Sequence, residues 1–230
     1  MPILNMIYWA TWWGGWWWQP WANTVCYYKF DGNLNDETGN TTATISTGSA
    51  SYVTDWDWES FNANSQNAIV TTIPPSTFSS AFTISCWIKL NSLPSMFRIW
   101  WWIGNWWNYD YLNIQYESWE WGLQIYNNAR TSWTWTPTTW TWYNIVIVWW
   151  WTANDLKAYL NWVEMTKTNN NYDYVISSAI SIGICCNNWF SGYYNMLPWL
   201  MDNFIVESVA WTWTDVSDYY DLTKWNYWIS

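Results

Sequence analysis

The strongest constraint on the fold is a nine-residue run, Phe82–Leu90, in which apolar residues alternate with other residues. A two-residue period is typical of a β-strand with one buried face. Other β-branched and aromatic runs follow one another from residue 23 onward, separated by turn residues, and helical periodicity is almost absent. This pattern predicts an all-β chain folded as an antiparallel sandwich.

The predicted elements are short strands and one helix. Strands are expected at residues 25–30, 41–47, 60–64, 68–72, 82–90, 97–101, 111–116, 122–127, 142–148, 156–160, 163–168, 180–184 and 200–206. The strands at 156–160 and 163–168 are expected to form a hairpin over Asn161-Trp162. Residues 214–222 predict one short C-terminal helix, which Thr214 can cap. The predicted organisation is an arm and linker at 1–22, one domain at 23–224 and a tail at 225–230.

The chain contains 31 tryptophans but only nine glycines, whereas glycine usually makes up about 7% of a protein. Trp162 stands where a hairpin usually has the glycine of Asn-Gly, and Trp199 follows Pro198 where Pro-Gly is expected. Residues 12–18 become a glycine linker if each tryptophan is read as glycine. We hypothesise that UGA encodes glycine in this gene and was translated as tryptophan. The alternative is a genuinely Trp-rich surface that stacks on sugars.

Composition excludes several classes of function. Charged residues make up 10% of the chain, and the formal net charge is −10. We therefore expect no binding to nucleic acid or to an anionic membrane. The chain has no histidine, which excludes His-based triads, bases and metal sites. No run approaches the roughly 18 apolar residues of a membrane span.

The four cysteines are Cys26, Cys86, Cys185 and Cys186. None forms a CxxC pair, so a zinc site is not expected. Cys185 and Cys186 would point to opposite faces of a strand. A disulfide involving Cys26 is one option, but the pattern favours buried free thiols.

Six segments, taken in order, resemble the laminin-G-like, concanavalin A-like jelly-roll family over residues 24–223. They are residues 27–36 with 39–40, then 60–62, 82–89, 141–146, 156–161 and 200–206. The family usually has glycine where Trp162 and Trp199 stand. The resemblance implies a concanavalin A-like β-sandwich jelly roll that binds carbohydrate or another surface ligand without catalysis.

Residues 1–11, together with the glycine-like linker that follows them, resemble the start of phage structural or tail-associated proteins. Residues 1–8 are apolar but lack the basic segment and long apolar core of a signal peptide. A short apolar arm followed by a linker suggests attachment to a larger assembly, and a disordered terminus is the alternative. We therefore expect an extracellular or virion protein, with a purely structural decoration or fibre subunit as the alternative function.

The loop of residues 31–36 offers side-chain oxygens at alternating positions, as calcium requires. The resemblance implies that the first and last strands are neighbours, which would bring Asp202 near this loop. The candidate calcium ligands are Asp31, Asn33, Asp36 and Asp202. The alternative is a solvated Asx-turn with Asp202 hydrogen-bonded at the end of a strand.

Aromatic side chains on loops can stack on sugar rings. The candidate ligand-binding residues are Tyr109, Tyr111, Tyr193, Tyr194 and Asn195, and Trp133 and Trp135 are further possible platforms. Core packing or misread glycine would explain the tryptophans equally well.

A glycoside hydrolase is the second alternative, because glucanases of this fold cluster carboxylates on one strand. Glu117 and Glu120 are three residues apart, which places them on opposite faces of a strand. Asp55, Asp57 and Glu59 have the i, i+2, i+4 spacing that places side chains on one face of a strand. However, this segment becomes a glycine-rich acidic loop if its tryptophans are glycine. We therefore expect no enzymatic activity.

Overall fold

The computed structural model describes residues 21–47, 49–55, 58–62, 68–78, 80–93, 96–101, 113–117, 122–127, 129–150, 155–170, 182–184 and 199–227. Within these ranges the strands are β1 (Thr24–Tyr28), β2 (Ala43–Thr47), β3 (Tyr52–Asp55), β4 (Trp58–Asn62), β5 (Ala68–Thr71), β6 (Phe82–Leu90), β7 (Met96–Trp101), β8 (Asn113–Glu117), β9 (Gly122–Asn127), β10 (Ala129–Thr134), β11 (Trp142–Trp149), β12 (Lys157–Leu160), β13 (Val163–Glu164), β14 (Lys167–Asn170), β15 (Ile182–Ile184) and β16 (Trp199–Glu207). Helix α1 spans Trp213–Thr223, and 3₁₀ turns lie at Pro75–Phe78 and Lys224–Tyr227. Residues 1–20 of the predicted arm lie outside the described residues.

The strands form two antiparallel sheets. Sheet A has the order β13-β12-β11-β6-β16-β4-β3, and β1 joins it by pairing with β16. Sheet B has the order β14-β10-β9-β8-β7-β15-β5-β2. The first and last strands of the described chain are therefore neighbours, as the family resemblance implies. This architecture confirms the antiparallel β-sandwich jelly roll with one short C-terminal helix.

The core follows the two-residue period of the strands. Ile145 and Ile147 of β11 belong to the core between the two sheets, whereas Val146 and Val148 belong to a second cluster on the face covered by α1. Each apolar side chain that is fully buried in this way stabilises the fold by roughly 1.5–3 kcal/mol. Sheet A is thus covered on both faces.

Strand β6 has the predicted bounds, but the prediction of a single buried face is wrong. Nearly every residue of β6 is buried. Ile84 and Ile88 contribute to the core between the sheets. On the other face, the indole of Trp87 stacks on Tyr227, with ring centroids 4.0 Å apart. The C-terminal segment covers this face, which the alternation within β6 alone does not reveal.

Helix α1 begins one residue earlier than predicted, and its cap is Thr212 instead of Thr214. The Thr212 hydroxyl accepts the backbone N–H of Asp215 at 3.2 Å, and the Asp215 carboxylate accepts the Thr212 N–H at 2.7 Å. This reciprocal arrangement is a capping box. No helix in the described ranges is long and apolar enough to cross a membrane.

The predicted strand at 163–168 divides between the two sheets. Val163 and Glu164 form β13 and complete the hairpin with β12 in sheet A. The chain then crosses the edge of the sandwich, and β14 pairs with β10 in sheet B. Because Met165 packs against the core between the sheets, the crossing is held in place, and an opening forms beside it.

The C-terminal residues up to Tyr227 pack against the sandwich. The sequence places a tail at residues 225–230. In the structure, Lys224–Tyr227 extends the helix as a 3₁₀ turn, and the Tyr227 side chain is buried. Residues 228–230 lie outside the described residues.

Cys26 and Cys86 are free and buried, as predicted. Burial raises the pKa of both thiols, that of Cys86 to about 12. The reactive thiolate is therefore suppressed at neutral pH. Cys185 and Cys186 lie outside the described residues.

Candidate functional site

Asp36 fixes the loop between β1 and β2. Its Oδ1 accepts the backbone N–H of Tyr27 at 2.8 Å, and its Oδ2 accepts the N–H of Thr41 at 2.8 Å. The hydroxyl of Thr38 also donates to these two oxygens, at 2.9 and 2.8 Å. Because both carboxylate oxygens accept hydrogen bonds from the protein, Asp36 acts here as an anchor of the loop.

Asn33 closes an Asx-type turn in the same loop. Its Oδ1 accepts the N–H of Asn35 at 2.7 Å, and its Nδ2 donates to the carbonyl oxygen of Asp31 at 2.8 Å. Gly32 has a φ of 69°, a conformation that glycine adopts without steric cost. This geometry matches the Asx-turn alternative.

Asp31 lies in an acidic environment at the surface. Burial raises the pKa of its carboxyl group, Lys29 opposes this shift, and the carboxylates of Glu37 and Glu59 add to it. Lys29 also forms an ion pair with Glu37 at 3.3 Å. The charge near Asp31 is thus partly balanced within the protein.

Asp202 is buried in β16, where it pairs with Trp87 of β6. Its carboxyl group accepts the Tyr227 hydroxyl at 2.8 Å and the backbone N–H of Asn203 at 2.8 Å. Burial raises the pKa of this carboxyl group well above its usual value. The Asn203 side chain also hydrogen-bonds the hydroxyls of Tyr27 and Tyr227. Asp202 therefore belongs to a buried polar network under the C-terminal segment.

The four predicted calcium ligands do not form one cluster in this arrangement. Among the described residues, no three Asp, Glu, Cys or His side chains lie close enough together to hold a metal ion. Calcium takes six to eight oxygen ligands, whereas the oxygens of Asp36 and Asp202 already accept hydrogen bonds from the protein. These hydrogen bonds argue against a calcium ion at this place, and the calcium site stays a prediction for solution experiments.

The predicted sugar-stacking residues fall into two groups. Those outside the described residues are Tyr109, Tyr111, Tyr193, Tyr194 and Asn195. Trp133 and Trp135 are described, and only 0% and 4% of their surface is exposed. Both belong to the core between the sheets. The expectation of exposed stacking platforms is therefore wrong for these two tryptophans.

A cavity of about 410 Å³ opens at the edge of the sandwich where the chain crosses from β13 to β14. Its lining combines β10 of sheet B with the β12–β13 hairpin of sheet A. The lining residues are Trp133, Asp155, Lys157, Glu164, Met165, Thr166 and Lys167. The volume lies within the roughly 300–1,000 Å³ that is usual for small-molecule sites.

The lining of this cavity contains both hydrogen-bond donors and acceptors. Nζ of Lys157 lies 2.9 Å from Oε2 of Glu164, and this hydrogen bond raises the pKa of Lys157. Burial lowers the pKa of Lys167, while Asp155 and Glu164 act to raise it. Two lysines and two acidic residues thus line the same small cavity. A ligand with closely spaced hydroxyl groups can accept from the former and donate to the latter.

Trp133 contributes a buried aromatic side chain to the wall of the cavity. It lies opposite Lys167 in the β10–β14 pair. Its Nε1 is shielded from solvent and has no hydrogen-bond partner among the described residues. Trp133 therefore shapes the cavity, and the polar contacts with a ligand come from the charged side chains of the lining.

The carboxylates considered for hydrolysis do not share one strand. Asp55 ends β3 and Glu59 lies in β4, and the two strands pair as an antiparallel hairpin. The chain reverses between Asp55 and Glu59, which agrees with the interpretation of this segment as a loop and not as one continuous strand. Glu117 ends β8, whereas Asp57 and Glu120 lie outside the described residues.

Sequence reasoning missed the charged residues of the cavity. Asp155 and Lys157 precede or begin β12, while Glu164 and Lys167 lie beyond the turn. They meet only because the chain changes sheets between β13 and β14. The sequence did contain one signal for this site. Basic residues are rare in the chain, and two of its seven Lys and Arg residues fall within residues 157–167.

No protein-family model matches the chain, and no curated protein is significantly similar to it. Solved structures do share its fold. Domain 4 of AbnA, a GH43 extracellular arabinanase from Geobacillus stearothermophilus in complex with arabinotriose, has a TM-score of 0.64 and 19% identity over 85% of this chain and 97% of that domain.

Two larger proteins contain a similar unit. A botulinum neurotoxin type C structure, from work on its interaction with two ganglioside molecules, has a TM-score of 0.68 and 14% identity over 86% of this chain and 51% of its own. A Trypanosoma rangeli sialidase has a TM-score of 0.65 and 12% identity over 89% of this chain and 34% of its own. At these identities the likeness establishes the β-sandwich fold.

Proposed function

We propose that this chain is a non-catalytic carbohydrate-binding module and that the cavity beside Trp133 is its sugar site. The observation that carries the proposal is the pairing of ammonium groups and carboxylates around a cavity of about 410 Å³. Sugars present adjacent hydroxyl groups, each of which both donates and accepts hydrogen bonds. A lining with both kinds of charged partner suits that chemistry.

The structural neighbours support a sugar ligand. The arabinanase domain was solved with arabinotriose, and cell entry of the neurotoxin depends on interaction with two ganglioside molecules. The arabinanase domain, which matches this chain over 97% of its own length, therefore gives the more direct support. Fold likeness alone does not assign a ligand, so the proposal depends on the cavity residues.

A binding role is favoured over hydrolysis. Among the described residues, Asp155 and Glu164 line the cavity, and Glu164 is engaged by Lys157 at 2.9 Å. This ion pair already engages one of the two carboxylates of the lining. We therefore infer sugar binding rather than the hydrolysis by two free carboxylates that glycosidases use.

The proposed setting is the outside of a cell or a virion, where the N-terminal arm joins the domain to a larger assembly. The apolar residues 1–8 and the linker-like residues 12–18 support this setting. Fractionation of native particles, followed by detection of this chain, tests it. Recovery of the chain free of particles and of cell surfaces would contradict it.

A glycan array tests the function itself. We expect the full chain to bind a restricted set of oligosaccharides and to leave them uncleaved. Lys167→Ala and Glu164→Gln should each weaken binding by about 10-fold, because each removes a charged hydrogen-bond partner.

Lys224→Ala is the matched control for these variants. It removes an ion pair between Nζ of Lys224 and Oδ1 of Asp221, 2.7 Å apart, at the C-terminal end of helix α1. Because this ion pair lies outside the cavity lining, the variant should leave glycan binding unchanged. The proposal fails if no glycan binds, or if Lys167→Ala and Glu164→Gln bind glycans as tightly as the unaltered chain does.

A further inference from the structure

We infer that residues 140 and 162 are glycine in the protein made by its source organism, because UGA encodes glycine there. Both positions have left-handed backbone conformations, with φ values of 63° for Trp140 and 65° for Trp162. A bulky residue with positive φ is a genuine outlier. Glycine adopts this conformation at no steric cost because it has no Cβ.

The turn at Asn161-Trp162 is the clearer case. It joins Leu160 and Val163, which pair at the ends of β12 and β13. Asn161 has a φ of 47°, so both central residues are left-handed. Two-residue turns of this kind strongly prefer Asn-Gly.

The side chain of Trp162 gains little from its surroundings. It is 40% exposed. Its ring contact, at a centroid distance of 6.0 Å, is with Trp213, which is itself 52% exposed. The burial that normally offsets a strained backbone is therefore incomplete at this position.

Trp140 lies in the turn before β11. Its backbone N–H donates to the carbonyl oxygen of Leu90 at 2.7 Å, which ties the turn to the end of β6. The left-handed backbone conformation at residue 140 belongs to the turn that makes this hydrogen bond, which involves the main chain and not the side chain. The side chain is 68% exposed, so its burial does not offset the left-handed conformation.

Phe30 shows what an aromatic residue at positive φ looks like when packing supports it. Its φ is 65°, but it is only 1% exposed and lies between Tyr28 and Phe61, at ring distances of 6.0 and 5.6 Å. The other described residues with positive φ are Gly32, Gly39 and Asn203, with φ values of 69°, 71° and 47°, and glycine and asparagine are the residue types that tolerate this conformation best.

Burial separates the described tryptophans into two groups. Exposed ones are Trp140, Trp150, Trp162, Trp213 and Trp225, and buried ones include Trp87, Trp142, Trp149 and Trp211. Ordinary tryptophans are largely buried, as in the second group. A single reassigned codon accounts for both turn positions, because UGA is read as tryptophan in some genetic codes and as glycine in others.

Peptide mass spectrometry of the native protein, purified from its source, tests the inference. Trypsin should release residues 158–167, which contain position 162, and residues 131–157, which contain position 140. We expect glycine at both positions and tryptophan at 142, which serves as the control within the second peptide. Tryptophan at either 140 or 162 would overturn the inference.

Discussion

The hydroxyl of Thr24 donates to Oε1 of Glu207 over 2.5 Å and joins the first and last strands of the described chain. Glu207 is completely buried, and its other oxygen has no partner among the described residues. Burial raises the pKa of this carboxyl group from 4.5 to about 8. The folded protein therefore favours the protonated form of Glu207.

This shift makes stability depend on pH. A carboxyl group whose pKa is raised by folding stabilises the protein most below its unfolded pKa, and that stability is lost as pH rises. Unfolding free energy should fall by up to about 4–5 kcal/mol between about pH 4.5 and pH 8. The buried carboxyl group of Asp202 shifts in the same direction.

Denaturant unfolding at several pH values checks this prediction. Glu207→Gln keeps an acceptor for Thr24 without an ionisable group, so it should flatten the pH dependence. Glu37→Gln changes an exposed ion pair with Lys29, so its unfolding free energy should depend on pH as strongly as that of the unaltered chain. The same pH dependence in all three proteins would contradict the prediction.

The cap of helix α1 gives a prediction with a matched control. Thr212→Ala should lower the unfolding free energy by about 1 kcal/mol, because the N–H of Asp215 loses its acceptor. Thr214→Ala, an exposed position two residues further on, should change it by less than about 0.5 kcal/mol. Similar losses in the two variants, measured by thermal unfolding, would show that Thr212 is not the cap.

Local patterns predicted the strands well but not their surroundings. The bounds of β6 and β9 follow directly from sequence periodicity. The burial of Trp87 does not, because Tyr227 comes from the far end of the chain to cover it. Thr212 and Thr214 are both plausible caps by residue type, and only the reciprocal bond with Asp215 distinguishes them.

The candidate site was harder to predict than the fold. Strand β10 has the polar sequence Ala-Arg-Thr-Ser-Trp-Thr, which carries no strong strand signal, and it was missed. The cavity depends on this strand and on the sheet change between Glu164 and Lys167. Such a site arises from how two sheet edges meet, which a pattern within one segment does not encode.

Replacing the two strained tryptophans by glycine should stabilise the chain. Trp140→Gly and Trp162→Gly remove a left-handed Cβ penalty of about 1–2 kcal/mol, which exceeds the added entropy of the unfolded chain. Each should raise the melting temperature by about 2 °C. Trp225→Gly, at a 67% exposed residue without positive φ, should not raise it. A rise for Trp225→Gly equal to the other two would contradict the conformational argument.

Calcium can be tested by thermal unfolding with added calcium and with a chelator. Because the oxygens of Asp36 are already saturated by protein donors, we expect the two melting temperatures to agree within about 1 °C. A larger rise with calcium that is lost in Asp31→Asn would instead support the calcium site predicted from the sequence.

The most direct test of the proposed function is a crystal structure of the chain with an oligosaccharide selected on the glycan array. We expect the sugar to lie at the edge of the sandwich, with hydroxyl groups within hydrogen-bond distance of the side chains of Glu164 and Lys167. A sugar bound on another surface, with this cavity vacant, would contradict the assignment of the site.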